Sequence, residues 1–157
     1  MKPRTPATIP DLDRLIRRFR EASPALEQPT HTELLTLVAW HLVTYDEATA
    51  TEKLTAGLRA IDRARSRPSG VRGTGYNETL TIFWLTVARC SIPRPVRADD
   101  RAIVVARFVE TFARKRSMIN EYYSRELVHS WEARSAWTEP DLKPLRELCV
   151  CAAEDVP

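Results

Sequence analysis

Apolar residues recur at every third or fourth position through most of the chain, and this spacing predicts amphipathic α-helices. Pro10 and Asp11 open the first helix, with proline and an acidic residue in its first turn. Thr30 and Glu33 match a capping box at the start of the second helix. The apolar faces consist of Leu12, Leu15, Ile16 and Phe19 in the first helix and of Leu34, Leu35, Val38 and Leu42, headed by His31, in the second.

Further helices are predicted over residues 47–66, over 77–91 and from Asp99 to about Phe112. The 77–91 segment is apolar around nearly its whole circumference, which predicts the central and most buried helix. A shorter helix with Tyr122 and Tyr123 is predicted after Ser117. The apolar face of the helix that begins at Asp99 consists of Ile103, Val104, Phe108, Val109 and Phe112.

Two tryptophans, Trp131 and Trp137, lie in a proline-bearing segment that predicts an irregular strap laid over the helices. No segment alternates polar and apolar residues with the period of a strand. We therefore predict an all-α, single-domain bundle of about five main helices with an irregular C-terminal strap. Residues 9–157 are predicted to form this domain, and residues 1–8 are predicted to be a flexible N-terminus.

The composition excludes several classes of protein. With 157 residues, 43% hydrophobic and 29% charged, the chain is globular, and no apolar run reaches the ~20 residues of a membrane span. Its 24 basic and 21 acidic residues are too evenly balanced for a nucleic-acid-binding protein. Because the start lacks an apolar signal-peptide core, we expect a cytoplasmic protein.

Cysteine usage adds no obvious chemistry. Cys90, Cys149 and Cys151 are an odd number, and without an export signal we expect no disulfide framework. A structural zinc site would need a second cysteine pair. His31 is the only histidine expected to point inwards, so we predict neither a metal nor a cofactor.

The candidate site begins at a glycine-rich loop. Gly70, Gly73 and Gly75 precede the predicted helix at 77–91, whose first turn carries Asn77, Glu78, Thr79 and Thr81. Helix N-termini expose unpaired N–H groups and a partial positive charge, so an anionic ligand could bind there. An ordinary polar helix start after a long loop explains the same residues.

In an up-down bundle the second and fourth helices run in the same direction, which brings their N-termini together. His31 would then lie near Asn77, Glu78 and Thr81 in a polar pocket. His31 and Glu78 are predicted to transfer protons, and the substrate-binding residues are Arg72, Tyr76, Asn77, Thr81, Trp84, Tyr122 and Tyr123. A histidine at this position is also typical of a packed or capping residue.

The chain resembles an uncharacterised family of small bacterial all-α proteins. The resemblance rests on three segments: His31 with Leu35 to Trp40, Gly75 to Thr81, and Tyr122 to Ser124 continuing through Trp131 to Pro144. The family pattern has further histidines where this chain has Leu34 and Asn77. The resemblance implies that the family could bind a metal or shuttle protons, and that this member keeps only His31 and Glu78 of that set.

These observations leave three hypotheses open. The first is a small-molecule enzyme of bacterial specialised metabolism, a metal-independent lyase, cyclase or hydrolase acting on a substrate with an anionic group. The second is a non-catalytic subunit that supports a related, histidine-complete partner. A homodimer is the alternative to such a partner and would favour the enzyme. The third is a binding or regulatory module. None of the three involves nucleic acid or a membrane.

Overall fold

The computed structural model describes residues 9–21, 28–64 and 75–149, and these residues form an all-α bundle without strands. The long helices are α1 (Ile9–Arg20), α2 (His31–Thr44), α3 (Glu47–Ala64), α4 (Glu78–Ser91) and α5 (Arg101–Phe112). Two short helices, α6 (Arg125–Val128) and α7 (Trp131–Ser135), follow α5. Turns of 3-10 helix lie at Ala98–Asp100, Arg116–Glu121 and Leu145–Glu147. The predicted fold class is confirmed.

The helix starts follow the capping residues that the sequence carries. Thr30 Oγ1 accepts a hydrogen bond from the Glu33 N–H at 3.2 Å, and Asn77 Oδ1 accepts one from the Leu80 N–H at 3.0 Å. Asp46 plays the same part before α3, accepting from the Thr49 N–H at 2.9 Å. Each side chain satisfies a backbone donor that has no partner within its helix.

Two helices share the centre of the bundle. The sequence predicted α4 as the most buried helix, but α2 carries as many buried residues and packs against α1, α3, α4 and α5. Its apolar and aromatic residues extend beyond the predicted stripe, because His41 and Val43 are buried as well. A helix that contacts neighbours on several sides needs apolar residues around most of its circumference.

The second half of the chain differs from the prediction in detail. Phe108 and Phe112 of α5 are buried as predicted, but Ile103, expected on the same face, is exposed, and Val105, which was not predicted, is buried. Tyr122 and Tyr123 do not lie in a helix but in the link between a 3-10 turn and α6. Side chains in such an irregular link can still be buried, and both tyrosines are almost completely so.

A strap, residues 136–144, returns along α4 after α7. The Thr79 hydroxyl of α4 donates to the Ala136 carbonyl at 3.1 Å and accepts from the Thr138 N–H at 3.2 Å. Tyr123 Oη donates to the Thr138 carbonyl at 2.7 Å, and the Leu142 N–H donates to the Tyr122 carbonyl at 3.0 Å. Backbone hydrogen-bonding groups of the strap are thus satisfied by side chains and loops rather than by regular structure.

A disulfide bond joins the end of α4 to the last residue that the structure describes. Cys90, in the last turn of α4, is bonded to Cys149, 59 residues later, with Leu148 fully buried beside it. The expectation of no disulfide is wrong for this pair, because no spacing rule identifies a single bond between segments that meet only in the folded chain. Cys151 lies outside the described residues.

Within the described ranges, no helix is long and apolar enough to cross a membrane.

Candidate functional site

The candidate site starts where the glycine loop meets α4. Gly75, Tyr76 and Asn77 are described, and they lead directly into Glu78, the first residue of the helix. Arg72, predicted to bind the anionic group of a substrate, lies outside the described residues, as do Gly70 and Gly73.

The side-chain amide of Asn77 makes a hydrogen bond at both its oxygen and its nitrogen. Its Oδ1 caps α4, and its Nδ2 donates to the Val128 carbonyl at 2.7 Å, at the end of α6. The neighbouring Thr81 hydroxyl donates to the Asn77 carbonyl at 2.9 Å and is buried. The two side chains predicted to bind substrate therefore already have partners within the chain.

Tyr76, Glu78 and Arg59 form a compact polar group, which we call the Tyr76 cluster. Glu78 Oε2 accepts a hydrogen bond from Tyr76 Oη and pairs with an Arg59 guanidinium nitrogen at 2.7 Å. The Arg59 guanidinium also lies over the Tyr76 ring, 5.6 Å from its centroid. The Glu78 side chain is only 13% exposed, whereas that of Arg59 is 47% exposed. The cluster thus presents its positive end to solvent.

The environment of Tyr76 keeps its hydroxyl protonated. Burial, together with the hydrogen bond and the negative charge of Glu78, raises the pKa of Tyr76 well above its usual value. The Thr81 hydroxyl and the Arg59 charge oppose this pKa shift without cancelling it. Tyr76 is therefore a hydrogen-bond donor to Glu78 at any physiological pH.

Asp62 on α3 holds the backbone at the start of this cluster. Its Oδ1 accepts from the Tyr76 N–H at 3.2 Å and from Gln28 Nε2 at 3.1 Å. A Cβ at Gly75 would lie 3.4 Å from the same oxygen. Asp62 therefore links the chain before α2, the end of α3 and the approach to α4.

His31 occupies a different environment from Glu78. Its Nε2 lies 3.0 Å from the Phe112 carbonyl, to which it donates a hydrogen bond at the end of α5. Its ring meets Trp84 edge-on, with centroids 5.0 Å apart. No hydrogen bond or ring contact among the described residues joins His31 to Glu78. The structure thus places His31 against Trp84, another residue predicted to line the pocket. The His31 side chain, however, caps the C-terminal end of α5.

The remaining predicted site residues are part of the core. Trp84 contacts Phe83 and Phe112, and Tyr122 contacts Phe83, all by ring edges or tilted rings. The Tyr123 hydroxyl donates to the strap. Burial is the main cause that raises the pKa of Tyr123 above its usual value, and the charges of Glu139 and Asp141 add to it. Both tyrosines therefore anchor the strap to the bundle.

His41 corrects the expectation that only His31 points inwards. His41 is 3% exposed, donates from Nδ1 to the Leu37 carbonyl at 2.6 Å, and packs edge-on against Phe19 and Trp40. Burial lowers its pKa to about 4, and the charges of Arg20 and Lys53 act in the same direction, while the Leu37 bond opposes them. His41 is therefore a neutral core residue near pH 7.

A concave surface lies away from the candidate site, towards the other end of α4. It is a shallow groove between α2, α3 and α4, crossed by the Arg89–Glu47 pair at 2.8 Å. The groove lining is Leu42, Glu47, Thr51, Ile82, Leu85, Thr86 and Arg89. In the described ranges, no three histidine, cysteine or acidic side chains approach closely enough to hold a metal ion.

Sequence reasoning missed Arg59 and Asp62, which contact the start of α4, and it placed Thr79 in the first turn of that helix without predicting its bonds to the strap. Arg59 lies in the last two turns of α3, and because basic residues are common near helix C-termini its residue type alone gave no signal of a site. Arg59 and Asp62 are three residues apart and therefore lie on the same face of α3; this spacing was the available sequence signal that they act together. Comparisons of the chain with protein-family models, curated proteins and solved structures give no match.

Proposed function

We propose that the chain is a non-catalytic subunit that supports a related partner protein. The observation that carries the proposal is the internal use of the predicted catalytic pocket. His31 caps α5, Asn77 joins α4 to α6, and Thr81 bonds back to its own helix. Polar residues that a family could use for chemistry serve here to fix helix ends.

A catalytic base must reach the proton that it removes. In the described structure, the Nε2 of His31 is already bonded to a backbone carbonyl, and Glu78 is shared between Arg59 and Tyr76. Releasing such a partly buried polar group costs roughly 1–3 kcal/mol unless a substrate replaces the bond. These bonds favour a structural role for both residues.

Mass spectrometry under native conditions tests the proposal. The chain is purified alone and after co-expression with a related protein that carries the two histidines absent here at Leu34 and Asn77. We expect a stable one-to-one complex, and an increase in the solubility or activity of the partner. A chain that stays folded alone and forms no complex with such a relative would contradict the proposal.

The Tyr76 cluster supports a second candidate, a small-molecule enzyme. Glu78 is nearly buried beside a protonated tyrosine, and Arg59 offers a partly exposed guanidinium for an anionic group. Proton transfer would then involve Glu78 rather than His31. Thermal shift assays with small carboxylates, phosphates and sulfate would test for binding, with Arg59→Ala expected to remove it. Failure of every anion to raise the melting temperature would exclude this candidate.

A further inference from the structure

The last described residues, 144–149, which we call the latch segment, are held to the bundle less firmly than the strap before them. The strap is fixed by hydrogen bonds from the side chains of Thr79 and Tyr123. In the part of the chain that the structure describes, no hydrogen bond connects the latch segment with another element, and the Glu147 and Leu148 N–H groups bond to carbonyls inside the segment itself. The segment therefore depends on apolar contacts and on one disulfide bond.

The apolar contacts of the latch segment come from two leucines. Leu148 is fully buried, and Leu145 is partly buried against the same core. A short segment with few buried contacts and no hydrogen bonds to the rest of a protein opens at a low cost in free energy once its covalent restraint is removed. The Cys90–Cys149 bond is therefore the strongest link between the latch segment and α4.

The disulfide bond is accessible to a reductant. Cys149 is exposed, and Cys90, in the last turn of α4, is partly exposed. Thiol–disulfide exchange begins with the attack of a thiolate on one sulfur, so its rate depends on access to that sulfur, and exposed disulfides are typically the labile and regulatory ones. The exposure of Cys149 thus favours a bond that opens while the rest of the chain stays folded.

We propose that the Cys90–Cys149 bond is a redox-sensitive latch that a dithiol reductant opens in the folded chain. One thiolate of the reductant attacks the Cys149 sulfur, and the Cys90 sulfur leaves as a thiolate and takes up a proton. The second thiolate of the reductant then displaces Cys149 from the mixed disulfide, and this cysteine also takes up a proton. The protein disulfide gains two electrons, and the reductant becomes a disulfide. Release of the latch segment uncovers Leu148 and the core surface beneath it, while the strap keeps its own hydrogen bonds.

Hydrogen exchange followed by mass spectrometry tests the latch on the full chain, compared in its oxidised form and in dithiothreitol. We expect the Glu147 and Leu148 amides to exchange at least about tenfold faster in the reduced chain. The Thr138 and Leu142 amides of the strap should exchange at the same rate in both forms, because their hydrogen bonds are to parts of the bundle outside the latch segment. Alkylation of the reduced sample shows that the bond has opened.

Two cysteine variants serve as controls. Cys90→Ser should exchange rapidly at Glu147 and Leu148 with or without reductant, whereas Cys151→Ser keeps both latch cysteines and should respond to dithiothreitol as the parent does. Equal exchange of the latch segment in both forms, or reduction only after unfolding in urea, would overturn the proposal. Faster exchange at Thr138 would also overturn it, because the bond would then hold the strap as well. No partner protein is involved, so none of these results bears on the proposed function.

Discussion

Replacing Asn77 with alanine separates a structural role from a substrate-binding role. Asn77 was predicted to contact substrate, but its amide caps α4 through Oδ1 and bonds the Val128 carbonyl through Nδ2. Alanine keeps the backbone and removes both bonds. A residue that only binds substrate would leave the free energy of unfolding almost unchanged.

The magnitude follows from the two bonds. Loss of an N-cap side chain costs about 1 kcal/mol, and loss of a bond to a partly buried carbonyl costs about another 1–1.5 kcal/mol. The sum is about 2–2.5 kcal/mol. For a domain of this size, 1 kcal/mol corresponds to roughly 2–4 °C, so the melting temperature should fall by about 4–10 °C.

Thermal and urea unfolding followed by circular dichroism measure this change. The matched variant is Asn77→Ser, whose hydroxyl keeps a cap acceptor but has no amide group to donate to the Val128 carbonyl. We expect it to lose a smaller part of the stability than alanine does, because the helix cap is retained. A fall of less than about 1 °C for Asn77→Ala would refute the reasoning.

The remaining predictions use the same unfolding assays. First, the pKa of His41 is about 4 when folded and 6.5 when unfolded, so the unfolded chain binds more protons between these values. The contribution of His41 to the free energy of unfolding should therefore be fully present above pH 6.5 and fall by roughly 3 kcal/mol as pH drops towards 4. A variant without this histidine should lose that part of the pH dependence. Second, the Cys90–Cys149 bond closes a 59-residue separation, so reduction should lower the free energy of unfolding by at most about 4 kcal/mol, while Cys90→Ser should not respond to reductant. If the cytoplasmic location is correct, mass mapping of alkylated thiols should find this pair reduced in cells. Third, Glu78→Gln should lower the pKa of Tyr76, read from tyrosinate absorbance during alkaline titration, because it removes the adjacent negative charge; an unchanged titration would contradict the assignment of Glu78 as a cause.

Much of the fold could be predicted because its signals are local. Thr30 marks a helix start that the structure confirms, and the helix predicted from Asn77 begins one residue later, with Asn77 as its N-cap. Helical periodicity predicts less well which residues are buried at the edge of an apolar face. Ile103 and Val105 differ by two positions on α5, and only the position of the neighbouring helices decides which of them is covered.

The candidate site was less accessible to sequence reasoning. The N-termini of α2 and α4 were predicted to meet, but His31 contacts Trp84, which lies in the middle of α4 rather than in its first turn. The partner of His31 is a backbone carbonyl of α5, and a backbone group leaves no signature in the residue types. The strap contacts of Thr79 could not be predicted for the same reason, because its hydroxyl bonds backbone carbonyl and N–H groups nearly 60 residues later.

These long-range contacts have a consequence for the order in which the chain can mature during synthesis. The first turn of α4 is completed by Val128, Ala136 and Thr138, which leave the ribosome well after α4 itself. Until then, Asn77 and Thr79 must be satisfied by water, and the N-terminal end of α4 is less stable than its centre. The nascent chain would therefore acquire its final protection against proteases at this end only when the strap has emerged.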